Sequence, residues 1–297
     1  MSALIRPAGP DDIDAVCALL HEKMNARIAL TRWRRLMTYE WLAQKPDLGR
    51  AVEAGGRVLG YVGMVYADRD IPIASGGGPN ASGGGRRERT VNICAWYLDK
   101  SLRGSGLGME MMADATADPA LSYDIMTSSK NTLAILDAVG YRVLDDHRYV
   151  WRKVGAGGGE LAIERDPIAI RARASGREAR LLDDMAGLPA VPVLIEAAGS
   201  RALLFFSVKR KGADVTWFDL LHAGDRALFA DRAQALADAL LPDGPAVLAA
   251  DARFVPETAD GAREALPVPR VFKTARLERH EIDHLYTELQ LLDLKLD

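Results

Sequence analysis

Apolar and polar positions along this chain follow two periods, and the switch between them lays out its elements. Thr90 to Leu98 (Thr-Val-Asn-Ile-Cys-Ala-Trp-Tyr-Leu) is a β-branched and aromatic run that reads as a strand. Met109 to Ala117 is rich in helix formers. Ile13 to Ala29 has apolar residues at Val16, Leu19, Leu20 and Met24, the spacing of one helix face. Thr31 is placed to cap a second helix, Arg32 to Gln44, which ends before Pro46. Arg57 to Tyr66 reads as a strand in which Gly60 and Gly63 mark a bend or a close backbone contact. In the second half, 201–209, 214–222, 245–250 and 268–274 read as strands, and Arg226 to Leu241 as a helix. Ile282 to Leu296 has the pattern of an amphipathic helix packed on its own half, with a homodimer contact as the alternative. Two glycine-rich stretches punctuate the chain. Ser75–Arg86 is a loop joining two strands, and Gly155–Gly159 is a domain boundary.

Between the strand at 90–98 and the helix at 109 lies Leu98-Asp-Lys-Ser-Leu-Arg103-Gly104-Ser105-Gly106-Leu107-Gly108. Strand, glycine turn and helix make an anion-binding arrangement, because free amide N–H groups and the positive helix end point at one spot. The glycines let a ligand approach the backbone closely. A P-loop would need Gly-Lys-Ser/Thr here, and a dinucleotide fingerprint would need G-x-G-x-x-G. The alternating glycines and Met109 supply neither.

Arg103-x-x-Gly106-x-Gly108 resembles the R/Q-x-x-G-x-G/A motif of the GNAT N-acyltransferase superfamily. Leu98 stands five residues before Arg103, where that family has a strand valine. Tyr123–Ser129 resembles its next strand, and Asn131-x-x-Ala134…Gly140-Tyr141 its next helix. Leu4-Ile-Arg-Pro-Ala-Gly-Pro-Asp-Asp12 resembles its opening strand and cap. The resemblance covers residues 3–152 and implies an α/β (α+β) fold with a mixed, mostly antiparallel sheet flanked by helices. It implies residues 1–154 as an acyltransferase domain, 155–160 as a linker, and 161–297 as a smaller, degenerate GNAT-like companion. In that companion Ala223-Gly-Asp225 replaces the glycine cradle.

The chemistry the resemblance implies is direct transfer of an acyl group from acetyl-CoA, or another acyl-CoA, to a primary amine of a small molecule or amino sugar. Leu98, Arg103, Gly104, Ser105, Gly106, Leu107, Gly108 and Asn131 would bind the CoA, with an amide near Leu98 polarising the thioester carbonyl. Asn92 stands where many relatives have a carboxylate base, and Leu136 where many have a tyrosine acid. Asn92 can orient a water, and Tyr97, Tyr123 and Asp99 are the nearby polar replacements for catalysis. Trp33, Tyr39 and Trp41, among the arginines of their helix, suit stacking on a sugar and holding an anionic group. The alternative reading is a non-catalytic acyl-CoA sensor or scaffold of the same fold.

Composition trims these readings. The chain has 297 residues, with 38 basic and 41 acidic side chains and a net charge of −3. Neither half is basic enough for general nucleic-acid binding. Cys17 and Cys94 lack metal-ligand spacing and read as buried thiols of a reducing compartment. No signal peptide and no apolar run of membrane-spanning length is present, so no membrane partner is expected and the cytoplasm is the default. His147, just after the second helix of the resemblance, reads as an exposed turn residue, with facing the acceptor as the alternative, and His21 and His222 have no evident partner. His280 and His284, four apart on the last helix, lack the further ligands zinc needs, so no metal is expected.

Overall fold

The computed structural model describes residues 3–72, 85–155, 161–174 and 176–296. Most of both glycine-rich stretches, at 75–86 and 155–160, therefore lies outside the described residues. The first half runs β1 (Leu4–Pro7), α1 (Ile13–Leu19), α2 (Leu30–Thr38), β2 (Gly49–Ala54), β3 (Arg57–Pro72), β4 (Gly85–Leu98), α3 (Leu107–Ala115), β5 (Ser122–Ile125), α4 (Leu133–Ala138) and β6 (Arg142–Trp151). The second half nearly repeats that order: β7 (Ala162–Glu164), α5 (Pro167–Arg173), α6 (Arg177–Asp184), β8 (Val191–Ala197), β9 (Ser200–Lys211), β10 (Val215–Ala223), α7 (Arg226–Leu240), β11 (Ala246–Asp251) and β12 (Ala262–Lys273). A short α8 (Glu288–Leu291) comes last.

These strands form one sheet in the order β1-β2-β3-β4-β5-β12-β6-β11-β10-β9-β8-β7. The order is a palindrome. From either edge come five strands of one half and then the final strand of the other. β12 lies antiparallel to β5, with Val271 opposite Ile125, and β6 lies antiparallel to β11, with Trp151 opposite Leu248. The halves have thus exchanged their last strands, which pair with each other along the seam. That seam ladder breaks between Ala265 and Arg270, where Pro267 and Pro269 have no amide hydrogen to donate.

Each half contains one parallel pair that opens into a fork. β5 pairs with β4 only at Thr90, Val91 and Asn92, while β4 runs on to Leu98 against β3 alone. Between Cys94 and Tyr97, β4 carries one residue more than β3 does between Gly63 and Tyr61. Ala95 there has φ 49°. Such a bulge twists a strand away from its neighbour. The same device recurs in the second half. β10 and β11 pair from Thr216 to Asp219, and a bulge lies just beyond, between Leu220 and His222. β3 can press against the bulged stretch because it has glycines there. A Cβ on Gly60 would meet Leu98 Cδ1 at 2.8 Å, and one on Gly63 would meet Cys94 Sγ at 2.9 Å.

One core, with Trp33, Leu36, Tyr61 and Tyr66, lies under α1–α3. A second, with Trp151, Phe206, Phe229 and Leu236, lies under α7. A third straddles the seam through Leu144, Phe205, Phe272 and Leu285.

Three helices differ from the pattern reading. The helix expected over 13–29 is α-helical to Leu19, widens into a π turn over Leu20–Met24 and stops at the extended Asn25. α2 starts after Ala29 and ends at Thr38 rather than running to Gln44. Beyond it, the Tyr39 hydroxyl accepts from the Tyr66 amide at 2.8 Å, and Trp41 Nε1 donates to the Tyr66 carbonyl at 2.9 Å. These rings, with the buried Trp33, fasten the segment to the sheet, and the half-buried Trp41 stacks on Tyr39 with ring centroids 4.6 Å apart.

The largest departure is the tail. Within the segment expected to be one amphipathic helix, 282–296, only α8 is α-helical. Tyr286 (φ 64°) and Asp293 (φ 57°) break the helix on either side. Its polar residues Asp283, His284, Thr287, Glu288 and Gln290 are buried along with the apolar ones. The tail also does not stay on its own half, since Leu291 and Leu292 join the first core.

Candidate functional site

The loop after β4 is built to leave amides free. The Asp99 carboxylate accepts from the Ser101 amide at 2.9 Å and caps a short turn over Lys100–Leu102. Gly104 (φ 81°) and Gly106 (φ 86°) then take left-handed conformations that glycine adopts without strain. Gly106 is the N-cap of α3, and nothing lies within 4 Å of where its Cβ or that of Gly104 would sit. Ser105 turns its hydroxyl back onto the Leu102 carbonyl at 2.7 Å. Among the described residues, the amides of Gly104, Gly106 and Gly108 have no hydrogen-bond partner, so α3 presents its N–H groups and positive end outward.

Arg103 is held by its neighbours. Its Nε donates to the Leu98 carbonyl at 2.9 Å, and its guanidinium lies 5.5 Å over the Tyr97 ring. Both terminal nitrogens remain available beside the loop. The Asp99 amide is bonded to Leu59 of β3 at 2.8 Å, so strand alternation turns the N–H and C=O of Leu98 away from β3 and into the fork.

At the closed end of this fork lies a buried polar cluster. Asn92 Nδ2 donates to Asp124 Oδ1 on β5 at 2.7 Å, and Asn92 Oδ1 accepts from the Glu288 amide at 3.0 Å. Thr127, just past β5, donates its hydroxyl to Glu288 Oε1 at 2.7 Å. Glu288 Oε2 is buried and has no hydrogen-bond partner among the described residues. Burial pushes both the Asp124 and the Glu288 carboxyl up to about 7. Thus α8, at the end of the second half, supplies the floor of the fork in the first.

The sequence-expected residues divide accordingly. Leu98, Arg103, Gly104, Ser105, Gly106, Leu107 and Gly108 come together at the open end of the fork. Asn131, exposed at the start of the α4 segment, makes no hydrogen bond there. Asn92 lies at the closed end with both ends of its amide already engaged. Tyr97 lies beneath Arg103. Tyr123 donates its hydroxyl to the Asp118 carbonyl at 3.1 Å, in the turn before β5, and burial pushes it up to about 12. Leu136 is buried in the core. Asp124 and Glu288 were not foreseen. An acidic residue inside the apolar run Ser-Tyr-Asp-Ile-Met was the available signal for the first. Glu288 lies within the segment whose pattern predicts one amphipathic helix, and that pattern carries no mark of its burial.

The second fork is occupied by charges of the protein itself. Asp251 accepts from Arg270 and from His284 at 2.8 Å. Arg253 pairs with Asp145, and Asp283 joins Arg69 to His222. The His284 amide donates to the bulged Leu221 carbonyl at 2.9 Å. Only two residues separate β10 from α7, against eight between β4 and α3. One of the two, Asp225, caps α7 with its carboxylate, which accepts from the Leu228 amide at 3.0 Å. No group of His, Cys, Asp or Glu among the described residues is arranged to hold a metal, His280 and His284 included. Cys17 and Cys94 are buried free thiols. No helix among the described residues is long and apolar enough to cross a membrane.

No protein-family model and no curated protein matches the chain. Solved structures do. A GCN5-related N-acetyltransferase from Kribbella flavida is similar at 14% identity and TM-score 0.57, over 91% of this chain and 70% of that one. Another, from Anabaena variabilis ATCC 29413, is similar at 10% identity and TM-score 0.53, over 91% and 72%. A probable N-acyltransferase from Enterococcus faecalis V583 is similar at 13% identity and TM-score 0.52, over 94% and 74%. The chain therefore has the fold of the GCN5-related N-acetyltransferases, a mixed and mostly antiparallel sheet flanked by helices. The likeness extends across both halves of the molecule.

Proposed function

We propose that the protein transfers an acyl group from acetyl-CoA, or a related acyl-CoA, to a primary amine, and that the fork of the first half is where it does so. The observation that carries this is the outward-facing amide loop of Gly104–Gly108, at the mouth of a fork whose β4 edge is unpaired from Ile93 to Leu98. Phosphates suit the loop and the free nitrogens of Arg103. An extended amide-bearing arm suits the unpaired β4 edge, which spans about 20 Å over six residues. The acyl group then reaches the closed end, where Asn92, Asp124 and Glu288 lie. The second half lacks both a loop of that length and a vacant fork, and acts as a companion that completes the first.

The acceptor is a small-molecule amine or amino sugar. The fork is closed over its floor by the tail, which suits a compact acceptor better than a long peptide. A second reading, an acyl-CoA sensor without turnover, is favoured by one observation: the family's tyrosine-acid position holds the buried Leu136. Acetyl-CoA titration by calorimetry, with thiol release measured against a panel of amines and amino sugars, decides between them. Binding with release supports transfer, and binding without release supports the sensor. No binding would overturn both.

A further inference from the structure

We propose that Glu288, carried on the tail of the second half, is the proton acceptor for the attacking amine in the first half's fork. This rests on the acyl-transfer reading above. The tail residue bridges the fork where its walls part. Its amide is bonded to Asn92, the last residue of β4 paired with β5, and its Oε1 is bonded to Thr127, beyond the end of β5. These two anchors, one on each wall, fix the carboxylate and leave Oε2 unengaged. A buried carboxylate oxygen without a donor is costly to keep, and such an orphan calls for a function or a ligand. Asn92 and Thr127 have their polar ends engaged in this cluster, and Tyr123 is bonded to Asp118. Asp124 is held through Oδ1 by Asn92, whereas Glu288 Oε2 is the carboxylate oxygen of this cluster left buried without a hydrogen-bond partner among the described residues.

The step balances without any further reactant. The amine nitrogen forms a bond to the thioester carbonyl carbon and gives its proton to Glu288 Oε2. The C–S bond breaks, and its electron pair leaves on the CoA sulfur. The proton then passes from Glu288 to that thiolate, giving the amide and the free thiol and restoring the carboxylate. A group that titrates near neutrality can do both, since it is a usable base and is more acidic than a thiol of pKa about 8.5. The charged and titratable neighbours are Asp124 on β5 and Cys94 on β4. Arg69, Arg253 and Asp283 act on Asp124 from the seam.

The test uses the full chain, acetyl-CoA and whichever amine gives the most thiol release with the wild type. E288Q keeps the shape of the side chain. It should melt like the wild type at pH 5, where the folded protein keeps that carboxyl protonated, bind acetyl-CoA within twofold by calorimetry, and lose at least about 100-fold in kcat. The rise of kcat/KM with pH, centred near 7 in the wild type, should disappear. T127V removes a hydrogen bond that favours the carboxylate, so it should move that rise to higher pH. Wild-type kcat and pH profile in E288Q would overturn the proposal. So would a variant altered in KM alone, or a wild type that binds acetyl-CoA and releases no thiol with any amine. A wild type that fails to bind acetyl-CoA would overturn the acyl-transfer reading itself.

Discussion

The two halves of this molecule build the same fork and treat it in opposite ways. In the first, a bulged β4 parts from β5, an eight-residue loop leaves amides free, and the floor is a small carboxyl and amide cluster. In the second, a bulged β10 parts from β11, but the loop is two residues long and a carboxylate sits on the helix end. The opening is filled by Asp251, Arg253, Arg270, His284 and Asp283. The backbone device alone therefore confers no ligand site. The loop beyond the bulge, and the side chains that reach into the opening, decide whether the fork receives a ligand or becomes part of the interior.

That contrast can be broken first from the filled side. Asp251→Ala leaves Arg253, Arg270 and His284 without their shared carboxylate in the interior. It should cost about 3–5 kcal/mol of stability, measured by urea unfolding. A loss under about 1 kcal/mol would mean that the second fork admits water. On the open side, Gly106→Glu puts a carboxylate on the N-cap of α3 and strains a left-handed position. Acetyl-CoA affinity should fall at least about 100-fold, with a folding cost of about 1–3 kcal/mol from the strain. Its counterpart Asp225→Ala should cost about 1 kcal/mol of stability and leave acetyl-CoA binding unchanged. Equal effects of the two on binding would erase the distinction between the forks.

The forks also oppose each other in their response to pH. Asp124 and Glu288, pushed up to about 7, keep protons that the unfolded chain releases near about pH 4. Their contribution is full below that value and is lost as pH rises through about 7. His284, pushed down to about 3 by burial, and His222, also lowered by burial, work the other way. The unfolded chain gains those protons below about pH 6.5, so stability is lost as pH falls. D124N/E288Q should make stability rise more steeply between pH 5 and 7 than in the wild type, by on the order of 1–3 kcal/mol. Urea unfolding at the two pH values reads the difference, and parallel slopes would refute it. Among the substitutions expected to weaken binding, the smallest effect belongs to Arg103→Ala. It removes one partly exposed cation from the mouth of the open fork and should weaken acetyl-CoA binding about 10-fold. An unchanged affinity would show that the backbone amides suffice.

Local signals carried much of this into the sequence. The glycine loop was legible because φ-positive positions demand glycine, and Arg103 because of its fixed offset from Gly106. Gly60 and Gly63 were legible as sites of close approach. The features that stayed hidden depend on distant partners. The exchange of β6 and β12 leaves no local mark, since each reads as an ordinary strand wherever it pairs. The tail misled for a sharper reason. Its polar residues read as the polar side of an amphipathic helix, yet Asp283, His284 and Glu288 are buried and bonded to Arg69, Asp251 and Thr127, each more than thirty residues away. Periodicity reports where side chains point and says nothing of whether a polar one meets water or a partner.

The exchanged strands also set a timetable. As the chain leaves the ribosome, β1 to β5 can assemble early, but the open edge of β5 has no partner until β12 is made, well over a hundred residues later. Through that interval the nascent sheet exposes an unpaired edge of the kind that attracts other chains. The carboxyl at the floor of its fork arrives later still, with α8. The first half cannot be completed before the second has been synthesised, and an interrupted product would carry the glycine loop over an unfinished fork.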